Sequence, residues 1–133
     1  MNEPDPLLSP RFEEALKFAA QLHARQKRKK SSTPYIAHLL SVAALVLEAG
    51  GDEETAIAAL LHDAVEDQGG LETLEEIRQR FGPRVATIVD TCTDSYQIPK
   101  PPWQDRKEAY IAHLREATPE AQLVSLADKL HNA

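Results

Sequence analysis

Leu60-Leu61-His62-Asp63-Ala64-Val65-Glu66-Asp67 follows the apolar run Ala56-Ile57-Ala58-Ala59 and is closed by Gly69-Gly70. Read as one helix, it sets His62 and Glu66 one turn apart, and Asp63 and Asp67 likewise. An imidazole and three carboxylates then share one edge of a helix whose other faces are apolar. Acidic groups that close repel one another and resist burial. A metal cation removes that penalty, because imidazole and carboxylate are ordinary ligands for borderline or hard divalent ions. The simpler reading is a helix C-terminus whose last turn meets water.

Helical patterns continue on both sides of this stretch. Asp52 caps its helix, and Gly50-Gly51 ends the one before, which covers Tyr35 to about Ala49 with Ile36, Leu39-Leu40, Ala43 and Val46-Leu47 as its apolar positions. Thr33-Pro34 starts that helix, as Ser9-Pro10 starts the first. The first carries Phe12, Leu16, Ala19-Ala20 and His23 and is expected to run into Arg25-Gln26-Lys27-Arg28-Lys29-Lys30 before Ser31-Ser32 breaks it. Downstream, Thr73-x-x-Glu76 reads as a capping box for a helix with Leu74, Ile77 and Phe81 on its buried stripe. Gly82-Pro83 separates it from a helix carrying Val85, Ile88-Val89 and Cys92. Pro99, Pro101 and Pro102 exclude helix between Asp94 and Trp103, where a functional loop is expected. Helices then run from about Gln104 to Ala117 and, after Thr118-Pro119, from Gln122 to Asn132. No segment alternates with period two for the length of a strand, so the fold class is all-α. Residues 1–8 read as a disordered tail and residues 9–133 as one domain. Its abrupt stop after Asp128-Lys129-Leu130-His131-Asn132 reads as a truncation.

Composition narrows the function classes. A chain of 133 residues has room for one core. Hydrophobic residues make up 42% and aromatics only 5%, so that core must be aliphatic. The net charge of -6 argues against general nucleic-acid affinity. Cys92 is the single cysteine, which excludes an internal disulfide and fits a reducing compartment. No apolar run has membrane-spanning length. These features describe a cytoplasmic protein with neither nucleic acid nor membrane as partner.

Isolated polar residues inside apolar helical runs carry the chemistry. His38 is flanked by Ala37 and Leu39-Leu40, and Asp128 lies within Val124-Ser125-Leu126-Ala127-Asp128-Lys129-Leu130. A lone histidine in such a place is more often a satisfied core residue, and a lone buried aspartate is rare without a partner. With His62-Asp63 they make four candidate ligands from three helices, a set suited to manganese, iron or zinc with positions left for water. Glu66 and Asp67 are the remaining carboxylates, placed to accept and orient a water proton. The cluster from Arg25 to Lys30 reads either as a solvated face or as a site that neutralises a phosphorylated ligand. His23 reads as structural, His113 as a surface residue and His131 as a neighbour of the site. Trp103 and Tyr96 read first as hydrophobic anchors of the loop, with closure of the loop over a ligand as the alternative, and Cys92 as a small core residue.

The ordered set Arg28-Lys29, Pro34-Tyr35-Ile36-Ala37-His38, Ala59 through Asp67, Phe81-Gly82 and Leu126 through Asn132 resembles the HD-domain metal-dependent phosphohydrolases. More closely, it is similar to the hydrolase domain of RelA/SpoT-type enzymes and their small stand-alone bacterial relatives, which remove the 3′-pyrophosphate from guanosine tetra- and pentaphosphate. The resemblance implies a compact helical bundle with a central metal, usually Mn²⁺, held by His38, His62, Asp63 and Asp128. It makes Glu66 and Asp67 the pair that activates water. Arg28 and Lys29 would contact the base and phosphates, and Asn132 the ribose side. Arg25 and Leu39 depart from the family's common glycine or asparagine and proline. Tyr96 stands near the place of a lysine that some members direct at the pyrophosphate, with Lys100, Arg106 and Lys107 as candidate replacements. The implied activity is that of a guanosine 3′,5′-bis(diphosphate) 3′-pyrophosphohydrolase. The alternatives are a nucleotide monophosphate phosphohydrolase of the same family and a nucleotide-binding module without turnover. A nucleotide is the expected partner, with a homodimer if the last helix exposes an apolar face.

Overall fold

The computed structural model describes residues 5–93 and 102–133. Lys100, Tyr96 and most of the proline loop lie outside them, as does the first half of the expected tail. Eight helical segments follow one another among the described residues: α1 (Pro10–Leu22), α2 (Ile36–Glu48), α3 (Glu53–Leu61), α4 (Ala64–Asp67), α5 (Leu71–Phe81), α6 (Pro83–Cys92), α7 (Trp103–Arg115) and α8 (Pro119–Asn132). The one extended pairing among the described residues is an isolated bridge between Lys27 and Pro34. The chain is all-α.

The third helix is the hub. Every residue from Thr55 to Leu61 is buried, so α3 is apolar all round, as a helix enclosed by others must be. It packs against α1, α2, α6 and α8. Burying Ile57, Leu60 and Leu61 fully contributes about 1.5–3 kcal/mol each. Around α3 the core is aliphatic, with Val42, Val46, Ile77, Val85, Val89 and Val124 enclosed and Phe18 and Phe81 the buried aromatic pair. The helix α7 has no buried residue and lies at the periphery. Leu126 and Leu130 of α8 and Ile111 of α7 are exposed.

Three local expectations give way to side-chain chemistry. The helix of the His62-Asp63 stretch is not continuous: α3 stops at Leu61 and α4 begins at Ala64. His62 Nδ1 lies 2.6 Å from the Ala59 carbonyl oxygen, so the imidazole takes an acceptor that the helix would otherwise use. The basic segment does not extend α1. After Leu22 the chain turns, and Arg28 N donates to Thr33 O at 2.9 Å and Tyr35 N to Gln26 O at 2.9 Å, which folds Lys27–Pro34 into a tight loop. Pro34 therefore sits in that loop, and α2 begins without a side-chain cap. Thr73 is not an N-cap either. It lies inside α5, and its hydroxyl donates to Gln68 O at 2.6 Å, bracing the turn between α4 and α5. Gly69 is required there, since its φ is +120° and an added Cβ would lie 2.2 Å from Thr73 Oγ1.

The caps at Ser9, Asp52 and Thr118 form as read, and each side chain accepts a backbone N–H of its helix. Asp52 accepts from Thr55 N at 2.9 Å and from Thr55 Oγ1 at 2.6 Å, and Arg84 joins it from α6. These donors hold the Asp52 carboxyl below its usual range, with the Thr55 hydroxyl as the largest cause. Asp52→Ala should destabilise the protein by about 1 kcal/mol, read as a lower melting temperature at neutral pH. A carboxyl whose folded pKa is depressed stabilises above its unfolded pKa and loses that effect as pH falls through the folded value. The two melting curves should therefore converge in acid.

Candidate metal centre

The core fixes four side chains at one point. His38 is in the first turn of α2, His62 and Asp63 occupy the break between α3 and α4, and Asp128 is in α8. Because α2, α3 and α8 pack mutually, aliphatic burial sets the positions of all four. One ligand atom from each lies within 4.8 Å of the others. His38 Nε2 is 2.8 Å from Asp128 Oδ1 and 3.7 Å from Asp63 Oδ2; His62 Nε2 is 3.1 Å and 3.2 Å from the same oxygens. Ligands bound at roughly 2.0–2.2 Å around a common ion stand about that far apart. His38 and His62 are 1% and 3% exposed, whereas the carboxylates reach solvent on one side, which suits a site closed below and open above.

The hydrogen-bond chemistry passes the same test. A carbonyl oxygen only accepts, so His62 Nδ1 carries its proton toward Ala59 and leaves Nε2 facing the carboxylates. His38 Nδ1 is 2.7 Å from His131 Nδ1, so a second imidazole can hold the outer nitrogen of His38 while Nε2 points inward. Burial and the nearby His38 push the His131 pKa down, as befits a neutral acceptor. Tyr35 Oη donates to Asp63 Oδ2 at 2.5 Å, and burial and the Asp63 charge raise its pKa, so it stays a phenol. Burial alone would lower the His62 pKa, but Asp63 and Asp128 push it up to about 10. Asp128 is held far below the carboxylate range by the two imidazoles, against the effect of burial. The knot thus demands positive charge at its centre, supplied by a proton or by a divalent metal.

Above the knot lies a cleft of about 410 Å³. Its lining combines four acids, Asp63, Asp128, Glu66 and Asp67, with five basic residues, Lys27, Lys29, Arg106, Lys107 and Lys129. Glu66 and Asp67 stand beside the ligand cluster without joining it. Burial and the charges of Asp63 and Glu66 raise the Asp67 carboxyl, and a hydrogen bond from Gln26 opposes them. Lys29 lines the cleft and Arg28 an adjoining hollow, where Arg28 Nη2 donates to Asn132 Oδ1 at 2.9 Å. Asn132 Nδ2 in turn donates to Asp128 Oδ1 at 3.2 Å. Arg106 lines the cleft from α7, while Lys100 falls outside the described residues. Sequence reasoning missed Lys129, whose Nζ is 3.1 Å from Asp128 Oδ2, and Tyr35 and Gln26. Their signals were weak: a lysine after an acid, a tyrosine after proline and a glutamine in a basic run. Trp103 is 63% exposed and lines the cleft rather than anchoring the loop in the core.

A helical bundle with paired histidines and aspartates gathered beneath an open cleft is the architecture of a defined class. The chain belongs to the HD domain family, whose model matches residues 15–133. It is 45% identical over 122 residues to guanosine-3′,5′-bis(diphosphate) 3′-pyrophosphohydrolase MESH1 of Xenopus tropicalis, covering 90% of this chain and 65% of that protein. It is 39% identical over 127 residues to guanosine-3′,5′-bis(diphosphate) 3′-pyrophosphohydrolase of Aquifex aeolicus, covering 96% of this chain and 18% of that one. The chain thus spans less than two thirds of these relatives. Among solved structures, a metazoan ortholog of SpoT that hydrolyzes ppGpp superposes with a TM-score of 0.83 at 36% identity, covering 99% of this chain and 71% of that one.

Purified protein dialysed against MnCl₂ should retain about one ion per chain by elemental analysis, as four protein ligands require. Removing a ligand in His62→Ala or Asp63→Ala should abolish that retention. Far-ultraviolet circular dichroism should remain helical in both.

Proposed function

We propose that this chain hydrolyses guanosine 3′,5′-bis(diphosphate) at the 3′ position, with Mn²⁺ held by His38, His62, Asp63 and Asp128. The observation that carries the reading is the four-residue His/Asp cluster opening into a cleft lined by both acids and basic residues. The acids suit a cation and the basic residues suit phosphates, so one cleft offers groups for both the metal and a phosphate ester. When bound, the metal supplies Lewis acidity toward a phosphoryl oxygen and acidifies water.

The remaining work falls to side chains. Glu66 and Asp67 orient a water and take its proton as the water oxygen bonds to phosphorus. The bond between that phosphorus and the 3′ oxygen breaks, and the products are guanosine 5′-diphosphate and pyrophosphate. Asp67 suits proton acceptance because its surroundings raise its pKa toward the working range. Arg28 and Lys29 hold the base and phosphates, and Arg28 is oriented by Asn132, which faces the ribose. Arg106 and Lys129, which line the same cleft, offset charge on the pyrophosphate. The names of the relatives support the substrate, and the single cysteine Cys92 supports a cytoplasmic setting. No helix among the described residues is long and apolar enough to cross a membrane.

Incubation with Mn²⁺ and guanosine 3′,5′-bis(diphosphate) should release pyrophosphate and guanosine 5′-diphosphate in equal amounts. Orthophosphate as the first product would overturn the assignment. Glu66→Gln and Asp67→Asn should each lower kcat by roughly 10²–10⁴-fold while elemental analysis still finds the metal.

A further inference from the structure

Within the same cleft, Gln26 anchors a set of hydrogen bonds that the ligand cluster does not use. Gln26, in the turn after α1, donates from Nε2 to Asp67 Oδ2 at 3.1 Å. A carboxylate only accepts, so this contact orients the amide and turns Gln26 Oε1 away from Asp67. That oxygen has two neighbours of its own: His23 Nδ1 at 2.7 Å and Gln68 Nε2 at 3.0 Å. Both must donate to it, which places the His23 proton on Nδ1. The amide is thereby gripped from three directions, by the residue that follows α1, by α4 and by the residue that follows α4.

His23 shows why this grip is more than packing. Its ring is 2% exposed, and Nε2 has no hydrogen-bond partner among the described residues. A buried nitrogen left unpaired costs stability, so an apolar ring of similar size would suit the core better. What histidine offers and phenylalanine lacks is the Nδ1–H toward Gln26. The same ring stacks on Tyr35, with centroids 5.2 Å apart and planes 22° from parallel, and Tyr35 donates to Asp63. One buried imidazole thus backs both a candidate ligand and a candidate proton acceptor.

We infer that Gln26 is a positioning residue for Asp67, locked in its amide orientation by His23 and Gln68. This rests on the proton-accepting role of Asp67 proposed above. Asp67 sits at the end of the four-residue helix α4, near the like charges of Asp63 and Glu66. The Gln26 amide, which lines the same cleft, holds Asp67 Oδ2 and leaves Oδ1 for a water. The basic loop that carries Arg28 and Lys29 begins at Gln26, since Gln26 O accepts from Tyr35 N. The same residue therefore ties the phosphate-facing loop to the water-facing carboxylate.

The test uses the whole chain with Mn²⁺ and guanosine 3′,5′-bis(diphosphate). Gln26→Met keeps the length of the side chain and removes the amide. Gln26→Glu keeps an acceptor for His23 and Gln68 and removes the donor to Asp67. Both should lower kcat about tenfold or more, with KM changed less than about twofold and metal content unchanged. In an Asp67→Asn background, Gln26→Met should produce no further loss, because the two act as a unit. An equal loss in both backgrounds would assign Gln26 a merely structural role and overturn the inference. Wild-type kcat in Gln26→Met and Gln26→Glu beside an impaired Asp67→Asn would overturn it alone. Full activity in Asp67→Asn would instead remove the role of Asp67, and the inference with it.

Discussion

Two aspartates and two imidazoles share one space at the meeting of α2, α3 and α8, and their charges must be balanced there. Asp63 and Asp128 both face His38 and His62 across 2.8–3.7 Å. Carboxylates so placed destabilise a fold by several kcal/mol each unless positive charge meets them. The imidazoles that meet them are almost fully enclosed, so the aliphatic core fixes the partners against which the carboxylates, open to solvent on one side, must be held. Core and site are therefore one structure. Leu60 and Leu61 bury the end of α3, and that burial presents His62 and Asp63 to the centre.

The break between α3 and α4 follows from the same constraint. On an unbroken helix, His62 and Asp63 would point about 100° apart. Once the His62 imidazole takes the Ala59 carbonyl, the backbone at Asp63 moves to φ -100° and ψ -1°, between helical and extended values, and both side chains turn to one point. The short α4 then restarts and carries Glu66 and Asp67 into the lining of the cleft. One hydrogen bond thus sets the histidine tautomer, ends a helix and separates the ligand pair from the acids beside it. The layer behind the knot repeats the logic, with His131 behind His38 and Tyr35 behind Asp63.

The sequence carries this knot openly because each of its members interrupts an apolar run. His38 among Ala37, Leu39 and Leu40, and Asp128 after Leu126 and Ala127, are conspicuous without coordinates, and so are the caps at Ser9, Asp52 and Thr118. The helix break was hidden because helical periodicity says nothing of a side chain that competes for a backbone carbonyl. The folding of the basic segment was hidden for a related reason. It depends on Gln26 and Tyr35 meeting through backbone groups nine residues apart, which no local propensity records. Thr73 had the spacing of a capping box, but Gly69-Gly70 started α5 earlier and left its hydroxyl to Gln68. Gln26 and Lys129 escaped notice because a polar residue in a polar or alternating context is indistinguishable from an ordinary surface residue.

Enclosure differs sharply between the two sides of the cleft. The ligand cluster rests on helices fixed by a buried aliphatic core, whereas Arg106, Lys107 and Tyr110 come from α7, which buries nothing. Lys27 and Lys29 come from a loop held mainly by backbone bonds and one bridge. Hydrogen bonds nevertheless join these outer elements to the knot: Arg28 reaches Asp128 through Asn132, and Tyr110 bonds to Ser125 of α8. The knot in turn draws its members from α2, the break after α3, and α8. The candidate ligands thus rest on the core, and the basic residues of the cleft come from its periphery. A chain with net charge -6 can still gather five basic side chains in one cleft, because charge is distributed locally and four of its acids line the same cleft.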